Sequence, residues 1–263
     1  MSHKLYQLDA FTREPFKGNP AAVCLLAGPE PEQWMQALAA EMNLSETAFL
    51  RPEKDGWRLR WFTPTMEVDL CGHATLASAM VLFETQPTLR TQPISFFTRG
   101  GELRACWVDG VVELDFPAMR YQPLPNDESL KTMLGFKPID AVFSGNYFLF
   151  EAENAGLIRA ANPLMSDLMR LPMPEVIITA KSDNEVYDFI SRFFAPQLGV
   201  AEDPVTGSAH CLLAPYWAEK LGKQELDAFQ ASQRGGELHL RLVEDRVRIT
   251  GVAKFIYKAD LLV

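Results

Sequence analysis

The sequence predicts an α+β protein of two pseudo-symmetric, barrel-like domains, each a mostly antiparallel sheet wrapped round a central helix. Three observations carry this expectation. The chain contains itself twice, its short alternating segments read as strands, and each copy holds one helix-length run that is apolar on most sides.

The repeat is direct. Arg-Gly-Gly-Glu-Leu occurs at 99–103 and again at 234–238, an offset of 135 residues. Gly72-His73-Ala74 and Gly207-Ser208-Ala209 keep the same offset. Upstream, Phe62-Thr63-Pro64 is echoed by Phe194-Ala195-Pro196 at an offset of 132, which places a small insertion before Gly207. Domains of about half the chain follow, 1–118 and 119–263, with the last strands available to complete the N-terminal domain.

The elements follow in order. Pro31 to Met42 is an amphipathic outer helix with proline at its start. Trp57 to Phe62 alternates as a strand. His73 to Glu84 is apolar on most faces, which is the pattern of an enclosed helix. Glu102 to Val108 and Val111 to Phe116 are strands joined at the Asp109-Gly110 turn. Met119 to Lys137, rich in proline and polar residues, is the expected crossover between domains. Ser208 to Gly222 is the second enclosed helix, and Glu237 to Val243 with Arg246 to Val252 repeats the hairpin.

Composition bounds the function. The 263 residues are 48% hydrophobic, with a net charge of −9 and an isoelectric point near 5.0. Nucleic acid and anionic membrane, which select basic faces, are not the expected partners. The first dozen residues lack the apolar core of a signal peptide, and no run approaches the roughly 20 residues of a membrane span. A cytoplasmic location is expected, with the four scattered cysteines as free thiols.

The two Gly-x-Ala helix starts carry the chemistry. Unpaired N–H groups and the helix dipole make such an end an anion site. Equivalent points of a duplicated protein can face each other, and two facing ends would hold a small carboxylate. Ordinary capping by Asp69, Thr206 or Ser208 is the plainer alternative. His73 at a helix start would tend to be neutral and able to accept a proton, unless it is simply a hydrogen-bonded core histidine. Glu202-Asp203 before Pro-Val-Thr-Gly, and Glu46 in Asn43 to Leu50, are acidic groups that could join it. Each could equally be a plain turn or polar connector.

Two rival readings compete for these residues. Cys71, His73, His210 and Cys211 lack the paired spacing of structural zinc, so no metal site is expected. Cys71 as a nucleophile is better placed, because a helix start lowers a thiol's pKa. Its equivalent in the second copy is Thr206, so a symmetric two-thiol racemase lacks one thiol.

At Asp9 to Thr12, Phe16 to Val23, Asn43 to Phe49, Phe62 to Ala77 and Glu202 to Ala209, the chain resembles the phenazine-biosynthesis PhzF family of isomerases, within the diaminopimelate epimerase superfamily. The resemblance implies the diaminopimelate epimerase-like fold and a site between the two domains. It implies a cofactor-independent isomerase that moves a proton and a double bond in a small carboxylate substrate by general acid–base catalysis. It assigns Glu46, His73 and Asp203 to catalysis, and Asn19, Gly72, Gly207 and Ser208 to substrate binding. Its remaining implications are no metal or organic cofactor, and a homodimer. The runner-up is a one-cysteine epimerase or racemase of an amino or hydroxy acid. A third reading is a non-catalytic module that binds small acids or proteins.

Overall fold

The computed structural model describes residues 3–125 and 129–263. It divides into two compact units: Met1–Phe116 with Arg248–Val263, and Pro117–Val247. The chain thus leaves unit 1 after Phe116 and returns to it at Arg248, so the last strand belongs to the first unit.

Unit 1 begins with β1 (Lys4–Ala10), β2 (Asn19–Leu25), α1 (Glu32–Met42), β3 (Glu46–Glu53), β4 (Gly56–Phe62) and β5 (Glu67–Val68). It continues with α2 (Gly72–Thr85), β6 (Ile94–Thr98), β7 (Gly101–Val108) and β8 (Val111–Pro117). Unit 2 holds β9 (Gln122–Pro123), α3 (Ser129–Leu134), β10 (Asp140–Ser144), β11 (Tyr147–Glu151), α4 (Ala155–Ala160) and α5 (Met165–Leu168). Then come β12 (Glu175–Lys181), β13 (Phe189–Ala195), β14 (Val200–Asp203), α6 (His210–Leu221), β15 (Glu225–Gln230) and β16 (Gly236–Val243). Strand β17 (Arg246–Gly251) carries the chain back, and β18 (Ala253–Asp260) closes it.

The two sheets repeat one pairing series. In unit 1 the order β18-β1-β2-β3-β4-β6-β7 runs antiparallel, antiparallel, parallel, antiparallel, parallel, antiparallel. In unit 2 the order β9-β10-β11-β12-β13-β15-β16 runs through the same six relations. The first parallel step spans α1 in one unit and α4 with α5 in the other, and the second spans α2 and α6, as parallel pairs require a crossover.

Helix α2 is buried from Gly72 to Phe83, with β1, β2, β3, β7 and β18 packed about it. That accounts for its lack of a polar face. Helix α6 packs on β15 and β16, stacks Trp217 on Phe189 of β13, and donates the Trp217 indole N–H to Thr179 of β12 at 3.0 Å. Each sheet therefore curls round one helix.

Two expectations need correction. The segment 119–137 does not connect the units; it lies within unit 2 and carries β9 and α3. Of that segment, residues 126–128 lie outside the described residues. The second helix does not begin at Gly207 as α2 begins at Gly72. Gly207–Ala209 form a tighter turn, in which His210 and Cys211 donate to the carbonyls three residues back, and the α-helix starts at His210. Such three-residue bonding is a common way to satisfy the groups at a helix end.

Candidate active site

In unit 1 three loops deliver polar side chains to the start of α2. The first is the turn before β2. Asp9, almost fully buried, accepts the Phe16 N–H at 2.7 Å and ties the turn to β1. Gly18 has φ +62°, and a Cβ there would lie 2.1 Å from the Ala10 carbonyl oxygen, so only glycine fits. That close approach delivers Asn19, fully buried, at the first position of β2. The second loop ends α1, whose C-cap Asn43 is left-handed and donates to the Ala39 carbonyl. Ser45 and then Glu46, the first residue of β3, follow at once. The third is Cys71-Gly72-His73, where Cys71 is the extended N-cap and α2 begins.

These groups meet at one imidazole. Asn19 Nδ2 lies 3.1 Å from His73 Nδ1, while Ser45 Oγ lies 3.5 Å from Asn19 Oδ1. The hydroxyl engages the amide oxygen, so the amide nitrogen donates to Nδ1. Nδ1 is then an acceptor, and the ring proton belongs on Nε2. On that side lie Glu46 Oε2 and Ser45 Oγ, both at 3.3 Å. Burial pushes the His73 pKa down to about 3, so the ring is neutral at ordinary pH. The His73–Glu46 contact is therefore the close approach of a neutral ring to an acidic side chain at 3.3 Å, outside hydrogen-bond geometry, and not an ion pair.

Glu46, Cys71 and His73 also form the one set among the described residues whose donor atoms lie within 4.8 Å of each other, as a metal site requires. Cys71 Sγ approaches Nδ1 at 3.6 Å, whereas Glu46 approaches Nε2.

Unit 2 builds its polar loop differently. Arg192 on β13 forks onto Glu202 at 2.7 and 2.9 Å, and strand alternation turns the next residue, Asp203, to the other face. Asp203 Oδ2 accepts the Thr206 hydroxyl at 2.5 Å. Gln230, fully buried at the end of β15, takes the Thr206 N–H on Oε1 at 2.8 Å and donates Nε2 to the Asp203 carbonyl at 2.8 Å. His210 Nδ1 lies 2.8 Å from the Thr206 carbonyl, and burial lowers its pKa to about 4. It is a core histidine that ties the turn to α6. Ser208 sits in the tightened turn between them, only half-buried.

Sequence reasoning missed Ser45, Thr206 as a partner of Asp203, and Gln230. Gln230 had a readable signal. In β15 the alternation buries Leu226, Ala228 and then Gln230, and a polar residue on an inward position needs a partner.

The family model described as phenazine biosynthesis-like protein matches residues 8–259. An uncharacterized isomerase of Halalkalibacterium halodurans is 48% identical, with 100% of this chain and 99% of that protein covered. The crystal structure of a phenazine biosynthesis PhzF family protein from Enterococcus faecalis superposes with a TM-score of 0.95 at 41% identity, covering 100% of both chains. A probable proline racemase from Agrobacterium radiobacter shares the fold at 13% identity, with a TM-score of 0.66 over 100% of this chain and 93% of that one.

Proposed function

The chain belongs to the phenazine biosynthesis-like family, and from that premise we propose that it is an isomerase working by general acid–base catalysis on a small carboxylate. The observation that carries this reading is the Asn19–His73–Glu46 series, buried at Asn19 and His73 and half-buried at Glu46. Asn19 fixes the tautomer, and neutral His73 holds Nε2 3.3 Å from one oxygen of Glu46. That contact sets a neutral ring, not a full positive charge, beside the carboxylate. Glu46 remains a base, and its other oxygen is the group assigned to the substrate proton.

The transfer is a 1,3-shift. Glu46 takes a proton from a carbon next to the substrate's double bond, the electron pair moves along the allylic system, and a proton returns at its far end. Atoms and electrons balance within the substrate, so the reading calls for no organic cofactor. Family resemblance adds Asp203 for polarising the substrate, and Gly72, Gly207 and Ser208 for its carboxylate, in a homodimer.

The test is incubation with a panel of small unsaturated carboxylates in deuterium oxide. Deuterium should enter at the allylic termini, and Glu46→Gln should suppress it. Exchange at an amino- or hydroxy-bearing carbon, lost with Cys71→Ser, would instead establish the one-cysteine epimerase. The contact of Cys71 Sγ with His73 Nδ1 is the observation that keeps that reading in play.

A further inference from the structure

Strand registers match the two units residue by residue. Phe62 and Phe194 are matched by the repeated Phe-x-Pro. Across the sheets Phe62 pairs with Thr47, and Phe194 pairs with Val176. The residues before those partners, Glu46 and Glu175, open β3 and β12 and therefore correspond. In the other direction, the pair Phe49–Arg60 corresponds to Ile178–Arg192, and the pair Arg51–Arg58 to Ala180–Ile190. Cross-strand partners share a face and every second residue returns to it, so these pairs lie on one face of each sheet. In unit 1 it is the face on which α1 packs, through Met35, Leu38 and Ala39.

One charged feature of that face is common to both units. Arg60 forks onto Glu67 at 2.7 and 2.8 Å and lies over the Phe62 ring. Arg192 forks onto Glu202 in the same way and lies over Phe194. That fork belongs to the fold. The next pair differs. In unit 2, Ala180 and Ile190 are buried in one apolar cluster with Ala155 and Ile158 of α4. In unit 1, Arg51 and Arg58 stand directly opposite each other, half-buried, and line a cavity of about 440 Å³ with Leu26, Met35 and Phe49. Where the second copy is filled, the first is open and charged.

Like charges directly opposite each other destabilise a sheet. A single oxygen offsets this pair: Glu53 Oε1 accepts from Arg51 Nη2 at 3.2 Å and from Arg58 Nε at 3.1 Å. Two guanidinium groups against one carboxylate leave one positive charge over. Arg58 spends only its Nε on Glu53, so among the described residues its two terminal nitrogens are available. They form the planar fork that a carboxylate matches. The acids on the cavity wall are already held. Glu32 accepts from Arg60 at 2.6 Å, Glu67 accepts from Arg60 and Arg99, and Glu30 lies 3.1 Å from the His3 ring. Their charge disfavours a ligand with a second negative charge.

We propose that this cavity of unit 1 binds a small monocarboxylate with an apolar body. Its carboxylate lies on Arg51 and Arg58, and its body on Leu26, Met35 and Phe49. The volume falls in the range of small-molecule sites. Exposed ion pairs contribute little, so an incoming carboxylate displaces Glu53 at small cost. By strand alternation Glu46 lies on the opposite face of β3 from Arg51, so this site is separate from the Asn19–His73–Glu46 series and does not depend on the acid–base reading.

Benzoate is the probe, because it carries one negative charge on an apolar ring. Titrated into the nitrogen-15-labelled full chain, it should shift the side-chain Nε–H signals of Arg51 and Arg58 along one saturating curve. Benzyl alcohol has the same ring without the charge. It should bind roughly tenfold more weakly or worse, as loss of a charge-assisted hydrogen bond predicts. Arg58→Gln, read at Arg51, should weaken benzoate by about the same factor. Glu53→Gln removes the competing carboxylate and should tighten benzoate, a gain that damaged folding cannot produce. Should Arg58→Gln fail to fold, Arg51→Gln read at Arg58 takes its place. Absence of shifts at both arginines overturns the inference. Equal binding of benzyl alcohol overturns it too, since the cavity would then select apolar surface alone. Unchanged benzoate affinity in the arginine variant, or unchanged or weaker affinity in Glu53→Gln, does the same.

Discussion

Units 1 and 2 share one strand order, one series of pairings and one enclosed helix, yet they spend their buried polar groups in different ways. Unit 1 gathers Asn19, Ser45, Glu46 and His73 round a single imidazole. Unit 2 uses Gln230 and Thr206 to brace the loop carrying Asp203. A duplicated backbone fixes where side chains can meet, because strand order and burial depend on the apolar pattern. It leaves the identity of the few inward polar residues open. Equivalent positions have diverged as sets: His73 against Ser208, Ala21 against Tyr147, Thr98 against Gln230. The glutamate is the member both sets retain, as Glu46 and Glu175.

The largest expected effect separates those two glutamates. Glu46→Gln should lower turnover by on the order of 10²–10⁴-fold, the usual contribution of a general acid–base group, with carboxylate binding largely kept. Glu175→Gln should change turnover far less and should alter its pH profile. Steady-state kinetics on a substrate found by deuterium exchange decides this. Equal losses would make the two units chemically alike and end the comparison.

Next in size is the brace in unit 2. Gln230→Leu removes the acceptor of the Thr206 N–H and the donor to the Asp203 carbonyl, both buried. Each stranded group costs roughly 1–3 kcal/mol, so denaturant unfolding should show a loss in that range or above it. Thr98, at the equivalent position of unit 1, bonds only within its own turn, to Gly101 at 2.7 Å and from Gly100 at 3.1 Å. Thr98→Val should cost less. The reverse order would show that the Gln230 bonds do not hold the loop.

Linkage with pH should run in opposite directions. The His73 pKa falls from 6.5 to about 3 on burial, so the unfolded chain binds that proton more readily. The stability it confers is present above 6.5 and is lost as pH falls toward 3. Glu175 rises from 4.5 to about 7, so its contribution is present below 4.5 and is lost as pH rises through 7. Melting curves of His73→Gln should flatten the acid slope in part, with His210 supplying the remainder. Those of Glu175→Gln should flatten the slope near neutrality. Flattening on the wrong side of either curve would mean that the buried charge states have been misassigned.

Much of the fold could be read from the chain because it is written in periodicity and in an in-register repeat. His73 and Glu46 stand out from the residues beside structural alternatives, and the resemblance assigns their roles; Asn19 comes from the resemblance alone. Glu175 escaped because the repeat changes register. The offset is 132 at Phe62 and Phe194, and 135 at Gly72 and Gly207. Strand pairing returns it to 132 at Thr98 and Gln230 before it is 135 again at the Arg-Gly-Gly turns. Residues 231–233 are therefore a second insertion. Within it, Ser232 donates to the Pro204 carbonyl at 2.8 Å, beside Asp203. Only strand pairing, which no periodicity specifies, reveals which residues correspond.

The smallest expected effect tests the one position where unit 1 keeps a thiol and unit 2 a hydroxyl. Cys71 corresponds to Thr206. In unit 2 that hydroxyl binds Asp203 directly and is part of the brace. In unit 1 the thiol lies 3.6 Å from His73 Nδ1, which already accepts from Asn19 at 3.1 Å. Removing the thiol therefore leaves the tautomer fixed and Nε2 still beside Glu46. A sulfur-to-oxygen exchange in a nearly buried site costs some packing, within the range of about 1 kcal/mol common for single substitutions. Cys71→Ser should thus keep turnover within a few-fold of wild type, by the kinetic assay used for Glu46→Gln. Asn19→Leu should do more harm, because it frees Nδ1 to hold the proton and turns Nε2 into an acceptor facing a carboxylate. If the order is reversed, with Cys71→Ser silencing the enzyme and Asn19→Leu tolerated, the proton is carried by sulfur, and the His73 ring serves the thiol rather than the glutamate.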